Sequence, residues 1–291
     1  MNHSRILMTL AALSIATPLL AAGPATTACP QHFAAGQPPQ IVKAKLRPKT
    51  RELCFEAFAT LHSGLSRTPL YSAEHLTRPN LESARQLPRK DSFHAEDRLP
   101  EGERAELSDY ARSGYDRGHM APNADMPTRS AQAESFSLAN MVPQLHENNA
   151  GVWAGIEAAM RQLARDEGEL YVVSGPAFIG TDLKQIGHVL VPTHLWKVVY
   201  SPKQQRAGAY LIENGTRQDW RALSVAELEK LTGIAPLPAL SQQQREAGMT
   251  LPDPAAPQHD RKPKSAPPRE DSTLEELSRA LLALLNKLIR F

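Results

Sequence analysis

The order of apolar and polar side chains along the chain predicts a domain that contains both strands and helices. Five segments are interpreted as strands, at residues 69–76, 135–142, 170–173, 188–200 and 207–212. Polar and apolar side chains alternate in 135–142, which is typical of a half-buried strand, whereas 170–173 is a continuous apolar run, typical of a buried one. That run ends before the Ser-Gly-Pro of residues 174–176, and Pro192 interrupts the segment that follows.

Apolar side chains recur at steps of three and four residues between 150 and 166, which predicts an amphipathic helix. The apolar stripe consists of Trp153, Ile156, Met160 and Leu163. Gly168 is placed to end this helix, because glycine closes many helices. A second helix is predicted from Ser224 through Leu231, since Ser224 and Glu227 have the spacing of a capping box.

These elements delimit a domain at residues 55–240 of the mixed α/β, or α+β, class. Residues 23–54 are rich in Pro, Ala and Gln, and we expect an irregular lead-in there. Residues 79–108 are polar and charged with few apolar side chains, which predicts a long surface loop. Hydrophobic residues make up 41% of the chain, a content that is ordinary for a soluble globular protein and sufficient for a core.

The first 22 residues have the order of a signal peptide. Arg5 supplies a positive charge, residues 6–20 are apolar, and small residues follow at 21–23. This apolar stretch is short for a membrane span, so an N-terminal anchor is the less favoured alternative. No later segment of the sequence is long and apolar enough to cross a bilayer. We therefore expect a periplasmic or secreted protein.

The C-terminal part of the chain differs in composition from the domain. Residues 241–273 are dense in Pro, Gln and charge, which predicts a disordered linker. Residues 274–291 place leucines on one side of an amphipathic helix. Through residues 274–289 this helix can pack on the domain, associate with a second copy or another partner, or lie on a membrane, and the pattern does not decide between them.

The chain contains two cysteines, Cys29 and Cys54. In an exported protein they can form a disulfide, which would stabilise the fold by about 3 kcal/mol. Two other interpretations stay open from the residues alone: a pair of free thiols, and a degenerate lipoprotein signal that ends at Cys29.

The net charge of the chain is small, with 33 basic and 31 acidic residues. A protein that binds nucleic acid only through non-specific phosphate contacts usually carries a clear basic excess. The charge balance therefore argues against such a binding protein. An enzyme that must release its product tolerates weaker binding and is not excluded.

The most informative segment is residues 115–122, which read Tyr-Asp-Arg-Gly-His-Met-Ala-Pro. Asp116, Arg117 and His119 bring a carboxylate, a guanidinium and an imidazole within four residues, and Gly118 permits a tight turn between them. A neutral histidine ring can take a proton from water near pH 7, and the forked donors of an arginine can hold phosphate oxygens. These groups suit phosphodiester hydrolysis, although a chance cluster in a polar loop would have the same composition.

A second group of polar residues lies between Asn140 and Glu157. Asn149, Trp153 and Glu157 are spaced four residues apart, which would put them near one helix face. On such a helix Asn149 and Glu157 lie about 12 Å apart along the axis, too far to share the inner shell of one ion. Asn149 could bind a divalent ion directly while Glu157 holds a water on that ion, an arrangement that suits Mg²⁺.

Together these motifs resemble those of the DNA/RNA non-specific endonuclease family, which includes endonuclease G and secreted bacterial nucleases. The resemblance rests on Asp-Arg-Gly-His-x-Ala-Pro at 116–122, Asn-x-x-Pro-Gln at 140–144, and Asn-x-Gly-x-Trp at 149–153 with a glutamate four residues later. Segments at 173–176 and 191–197 are also similar, so that the match covers roughly the whole predicted domain. The resemblance implies the ββα-metal fold, with a central antiparallel sheet and flanking helices.

The resemblance also implies how the metal and the attacking water are handled. His119 would be the general base that activates the water. Asn149 would be the one direct protein ligand of Mg²⁺, which Mn²⁺ or another divalent ion can replace, and Glu157 would orient a metal-bound water. Arg117 would stabilise the charged transition state.

Three further positions are implied as supporting residues. Asn140 would support the site by hydrogen bonding, and Asp116 would fix the loop. An upstream arginine often serves the phosphate in this family. Arg89 is the candidate here, and Arg85 and Arg78 compete with it because the loop between residues 79 and 108 matches the family poorly.

The implied activity is metal-dependent hydrolysis of DNA and RNA with little sequence specificity, leaving 5′-phosphate ends. Weak specificity is expected because phosphate contacts carry no base information. The alternative function is a catalytically silent module of the same fold that binds nucleic acid or acts as an adaptor. A structural zinc site and a serine hydrolase are weakly supported, since the sequence contains no Cys-x-x-Cys pair and no Gly-x-Ser-x-Gly elbow.

Overall fold

The fold is known from a computed structural model, which describes residues 26–254. The strands in chain order are β1 (Gln40–Ile41), β2 (Thr50–Cys54), β3 (Phe58–Ser63), β4 (Thr68–Thr77), β5 (Asp116–His119), β6 (Met141–Gln144), β7 (Glu169–Ala177), β8 (Gln185–Ile186), β9 (Val189–Leu190), β10 (His194–Ser201), β11 (Arg206–Glu213), β12 (Trp220–Leu223) and β13 (Ile234–Ala235). The helices are α1 (Arg78–Arg85), α2 (Leu107–Tyr110), α3 (Arg129–Ser135), α4 (His146–Asn148), α5 (Ala154–Glu167), α6 (Val225–Thr232) and α7 (Gln242–Ala247).

Seven strands form one antiparallel sheet in the order β12-β11-β10-β7-β4-β3-β2. Alternate side chains of the central strands enter two different apolar clusters, because successive residues of a strand point to opposite faces. Val173 and Trp196 belong to the cluster that includes α6, whereas Val172 and Leu195 belong to the cluster that includes α5. The sheet is therefore buried on both faces, and the predicted α+β class is confirmed.

Strands β5 and β6 pair with each other rather than with the large sheet. After β6 the chain forms α4 and one wide turn of π-helical geometry, Asn149–Trp153, before α5 begins. Two side chains of this region, Met120 and Trp153, pack in the α5 cluster beneath the large sheet. The β5-β6-α5 segment is the ββα unit that the sequence resemblance implies, and it contains all of the predicted site residues except Arg89.

Several predicted elements are confirmed by the structure. The strand predicted at 69–76 is β4, and those predicted at 188–200 and 207–212 are β9 to β10 and β11. Helix α5 ends at Gly168, which has a positive φ of 105°. Ser224 caps the start of helix α6: its hydroxyl oxygen accepts the N–H of Glu227, while the Glu227 carboxylate accepts the N–H of Ser224.

Two predictions in the middle of the chain are wrong. The segment 135–142 is not a strand: it continues from the end of α3 into a short 3-10 turn, and only from Met141 does it become β6. Its alternating pattern is misleading because every side chain from 135 to 142 is buried. The segment 79–108 is not wholly a loop, since it contains most of α1, whose first turn is capped by the Thr77 hydroxyl.

The domain also extends beyond the predicted bounds at both ends. Strand β2 lies in the segment predicted as an irregular lead-in and forms the edge of the large sheet. Helix α7 lies in the predicted linker, and Leu251 packs in the α5 cluster. The signal peptide predicted at 1–22, the rest of the linker and the amphipathic helix predicted at 274–291 lie outside the described residues.

Cys29 and Cys54 form a disulfide, with their Cα atoms 5.8 Å apart. The bond ties the N-terminal turn to β2, so the interpretation of the two cysteines as free thiols is wrong for this fold. Among residues 26–254, no helix combines the length and the apolar character that a membrane span requires.

Candidate active site

The Asp-Arg-Gly-His segment forms strand β5 rather than a turn. Because side chains alternate along a strand, Arg117 and His119 share one face and Asp116 lies on the other. Gly118 is needed for close packing: a Cβ there would lie 2.0 Å from Oε1 of Gln144. The prediction that Gly118 permits a tight turn is therefore wrong, and the glycine instead lets the neighbouring strand approach.

A cleft of about 460 Å³ opens beside β5. Four of the predicted site residues line it, Arg89, Asp116, Arg117 and Asn149. Phe93 also lines the cleft, and the guanidinium of Arg117 lies over its ring at 4.1 Å. Residues that are 60 positions apart in the sequence thus meet around one space lined mainly by polar groups.

Arg89 is the upstream arginine that reaches this cleft. Its guanidinium lies 5.2 Å from the centre of the Phe136 ring and pairs with Asp91 at 2.6 Å. Arg78 instead donates to the carbonyl of Arg165 at the far end of α5, and Arg85 does not line the cleft. The structure therefore favours Arg89 over both competitors.

The side chains of Asp116 and Asn149, which both line the cleft, are hydrogen-bonded to each other. Nδ2 of Asn149 donates to Oδ2 of Asp116 at 3.0 Å, and Nδ1 of His146 lies 2.9 Å from the same oxygen. The bond fixes the orientation of the Asn149 amide, so that its carbonyl oxygen Oδ1 keeps its lone pairs and has no protein partner among the described residues. A single hard oxygen with room for waters suits a divalent ion such as Mg²⁺, so the donor set fits the implied metal.

His119 does not itself line the cleft but is buried between aromatic rings, one of which, that of Phe93, does line it. Only 8% of the residue is exposed, and its ring lies 5.1 Å from that of Phe136 and 5.8 Å from that of Phe93. Nε2 has no hydrogen-bond partner within the part of the chain that the structure describes. A buried nitrogen without a partner is unusual and points to a function, because most buried polar atoms are satisfied.

The surroundings of His119 keep its ring neutral. Burial lowers the pKa of His119 to about 3, and the positive charges of Arg89 and Arg117 act in the same direction, against the opposing carboxylate of Asp91. At neutral pH the imidazole therefore has a free lone pair and is able to accept a proton.

Asn140 is a fully buried hub behind the site. Its Oδ1 accepts hydrogen bonds from the N–H of Ala121 and the hydroxyl of Ser72, and its Nδ2 donates to the carbonyls of Ala121 and Ser135. Because Ala121 is two residues after His119, this network holds the end of β5 against the large sheet. These hydrogen bonds are compatible with the supporting role that the sequence resemblance implies for Asn140.

Glu157 is half-buried on α5. Burial raises the pKa of Glu157 to about 7, although the nearby cations of Lys197 and Arg161 oppose the shift, and the charge of Arg89 also favours the ionised form. The charge of Arg89 thus lowers the pKa of both Glu157 and His119. Glu157 does not line the cleft.

The prediction that Asn149 and Glu157 lie on one face of a regular helix is wrong. The chain is not a regular helix between them, because Gly151 has non-helical dihedral angles and α5 begins only at Ala154. Gln218 packs against this break: its Oε1 accepts the N–H of Val152 and would lie 2.1 Å from a Cβ at position 151, so only glycine fits there.

The structure adds charged residues that the sequence did not single out. Glu74 on β4 is 1% exposed and both of its carboxylate oxygens lack partners among the described residues. Burial and the nearby Asp125 raise the pKa of Glu74 well above its usual range. Lys197 on β10 is buried over the Trp153 ring, and Arg161 pairs with Asp125 at 3.0 Å. Of these residues, only Arg161 could have been identified from the sequence, because it lies one helical turn after Glu157 on the predicted helix.

Comparison with known proteins agrees with this geometry. The family model for DNA/RNA non-specific endonucleases matches residues 37–243. A mitochondrial nuclease EXOG of Danio rerio is 37% identical over 203 residues, which cover 61% of this chain and 58% of that protein, less than two thirds of its length. A nuclease of Nostoc sp. is 35% identical over 220 residues, covering 69% of this chain and 78% of that protein.

The fold is similar to that of a nuclease whose structure is solved. The EndoG chain in a complex with EndoGI superposes with a TM-score of 0.61 and 25% identity, over 66% of this chain and 88% of that chain. The family model covers both β5 and α5 and therefore contains every residue that lines the cleft. On this evidence the chain belongs to the DNA/RNA non-specific endonuclease family.

Proposed function

We propose that this protein is a metal-dependent endonuclease that hydrolyses phosphodiester bonds of DNA and RNA with little sequence specificity. The observation that carries the proposal is the cleft in which Arg89, Arg117 and the Asp116-bound amide of Asn149 meet beside the buried ring of His119. Family membership supports the same chemistry. A binding module without activity would have no need for a neutral, unpartnered histidine nitrogen at this position.

The residues of the cleft have complementary roles in this proposal. The guanidinium groups of Arg89 and Arg117 bind the phosphate and stabilise the charge that develops on it. The imidazole of His119 takes a proton from the attacking water, because its depressed pKa keeps the ring in the neutral form. The bond that breaks joins phosphorus to the 3′ oxygen, so the product carries a 5′ phosphate.

A divalent ion completes the proposed site. Asn149 would hold Mg²⁺ or Mn²⁺ through Oδ1, and Glu157 would accept hydrogen bonds from its waters. The bound ion would neutralise negative charge on the phosphate and on the leaving oxygen. Asp116 contributes by fixing the amide of Asn149. Since none of these groups is directed at base edges, both DNA and RNA are expected substrates.

We further propose that the protein is exported to an oxidising compartment. The Cys29–Cys54 disulfide supports this, because such bonds persist mainly in secreted and periplasmic proteins. Several relatives are named mitochondrial, including that of Danio rerio, so fractionation of the native host with a thiol-trapping reagent is the direct test.

The proposed activity is tested by incubating the purified protein with plasmid DNA and with RNA, with and without EDTA. We expect both substrates to be degraded with Mg²⁺ and to stay intact with the chelator. Labelling of the product ends by a kinase only after phosphatase treatment would identify 5′ phosphates. Tight binding of both nucleic acids without any cleavage, at every divalent ion tried, would favour the silent module instead.

A further inference from the structure

A second cavity lies next to the cleft and is lined by arginines. It has a volume of about 380 Å³, and its polar lining consists of Arg85, Arg89, Arg161, Arg165, Asn123 and Gln132. Arg89 lines both the cleft and this cavity, so the two spaces adjoin at its side chain. The size is within the range of about 300 to 1,000 Å³ that is typical of ligand pockets.

The charged residues that line this cavity are all positive. Four of its lining residues are arginines, and none of the lining residues that the structure describes is acidic. Arg161 is neutralised by Asp125 at 3.0 Å, but the exposed Arg85 approaches only the exposed Glu82, at 3.6 Å. Arg165 donates to the neutral amide of Gln162. Arg85 and Arg165 therefore retain donors for an anionic ligand, and planar guanidinium forks match phosphate oxygens.

Arg85 and Arg165 lie on two helices that are packed against each other. Arg85 is in the last turn of α1 and Arg165 in the last turns of α5, and the two helices pack through Leu81, Met160 and Ala164. The Arg78 side chain also donates to the carbonyl of Arg165, which ties the start of α1 to the end of α5. A site with fixed elements binds with a smaller loss of conformational entropy than a mobile one.

We propose that this cavity binds a phosphodiester group of the substrate strand that neighbours the phosphate in the cleft, with Arg85 and Arg165 as its ligands. The inference rests on the proposed nuclease function and extends it to how the strand is held. Its support is the continuity of the two spaces at Arg89 together with the absence of lining carboxylates among the described residues. A strand that passes Arg89 would place successive phosphates on either side of that side chain.

The test is the salt dependence of binding to a single-stranded oligonucleotide, measured by fluorescence anisotropy in the presence of EDTA. Each phosphate contact contributes about 0.7 to the slope of log Kd against log salt for single strands. We expect R85A/R165A to lower that slope by about 0.7, the contribution of one phosphate, and R85A alone to lower it by a smaller amount. The charge-matched control K203A/R206A removes two cations that line neither cavity and should keep the wild-type slope.

A substrate with one phosphate separates this inference from the proposed function. A dinucleoside monophosphate has no second phosphate, so R85A/R165A should cleave it with wild-type kcat/KM while its KM for a long oligonucleotide rises about tenfold or more. Equal slopes for R85A/R165A, the control and the wild type would overturn the second phosphate site and leave the nuclease assignment standing. A wild-type protein that binds the oligonucleotide but cleaves neither substrate would overturn the proposed function, while the slopes still decide the binding site.

Discussion

The carboxylate of Asp116 accepts a hydrogen bond from the side-chain amide of Asn149 at 3.0 Å. An asparagine amide can bind a metal only through its oxygen, and a free amide group can rotate to present either atom. The bond to Asp116 occupies the nitrogen end and so selects the orientation that presents Oδ1. Asp116 therefore acts on the proposed metal site through Asn149, as hydrogen-bonded partners of metal ligands commonly do.

Asp116→Ala is expected to weaken the affinity for the activating ion by about 10- to 100-fold, the usual effect of losing such a partner. The measurement is the Mg²⁺ concentration that gives half-maximal activity, together with ion binding by calorimetry. Asp116→Asn should lose less, because its amide oxygen still accepts from Asn149. His146→Ala removes the other partner of the same carboxylate and serves as the control. Saturation of Asp116→Ala at the wild-type concentration of ion would contradict this role.

His119→Ala is expected to lower kcat by about 100- to 10,000-fold, the range for loss of a general base. KM should change little, because the arginines that bind the phosphate stay in place. His188→Ala is the control, since that histidine is exposed, pairs with Asp109 and is not a proposed site residue. Circular dichroism and thermal unfolding should show that both variants are folded. A folded His119→Ala enzyme with wild-type turnover would remove His119 from the mechanism.

The sequence predicted which residues meet at the candidate site better than it predicted the local backbone. Asp116, Arg117 and Asn149, which line one cleft, were identifiable because their motifs resemble those of the family. The alternation of polar and apolar residues in 135–142 predicts a strand with one face exposed. Every side chain of this segment is buried instead, so the alternation does not indicate a strand here. The break at Gly151 is contacted by Gln218, which is distant in sequence, and no local pattern contains that contact. Glu74 and Lys197 were missed for a related reason, since a single charged residue within a strand gives no sign that another strand will cover it.

Asn140→Ala is expected to destabilise the fold by roughly 3 kcal/mol or more, because it leaves buried groups of Ala121 and Ser135 without partners. Turnover should also fall by about 10- to 100-fold, since a small displacement of the catalytic base is costly. Urea unfolding and steady-state kinetics measure the two effects. Asn140→Asp places a buried carboxylate oxygen against the carbonyls of Ala121 and Ser135, so it should be at least as destabilising as the alanine variant. A variant with full stability would show that this network does not hold β5.

Acid should destabilise the fold partly through His62, which is 1% exposed on β3. Its Nε2 lies 2.8 Å from the carbonyl oxygen of Glu103, so Nε2 carries the hydrogen, and Nδ1 has no partner among the described residues. Protonation would add a second N–H in a buried place without an acceptor. Burial accordingly lowers the pKa of His62 from 6.5 to about 4.

The depressed pKa fixes the sign of the pH effect. Between pH 6.5 and 4 the unfolded chain holds a proton on residue 62 and the folded protein does not, so the free energy of unfolding falls as the pH is lowered. The shift corresponds to about 3 kcal/mol lost by pH 4. His62→Gln, whose amide can donate to the same carbonyl, should be less sensitive to acid by this amount. Urea unfolding from pH 4 to 7 measures the difference, with the exposed His94→Gln as the matched control. Parallel stability profiles for the wild type and His62→Gln would mean that this histidine takes up its proton as readily in the folded protein as in the unfolded chain.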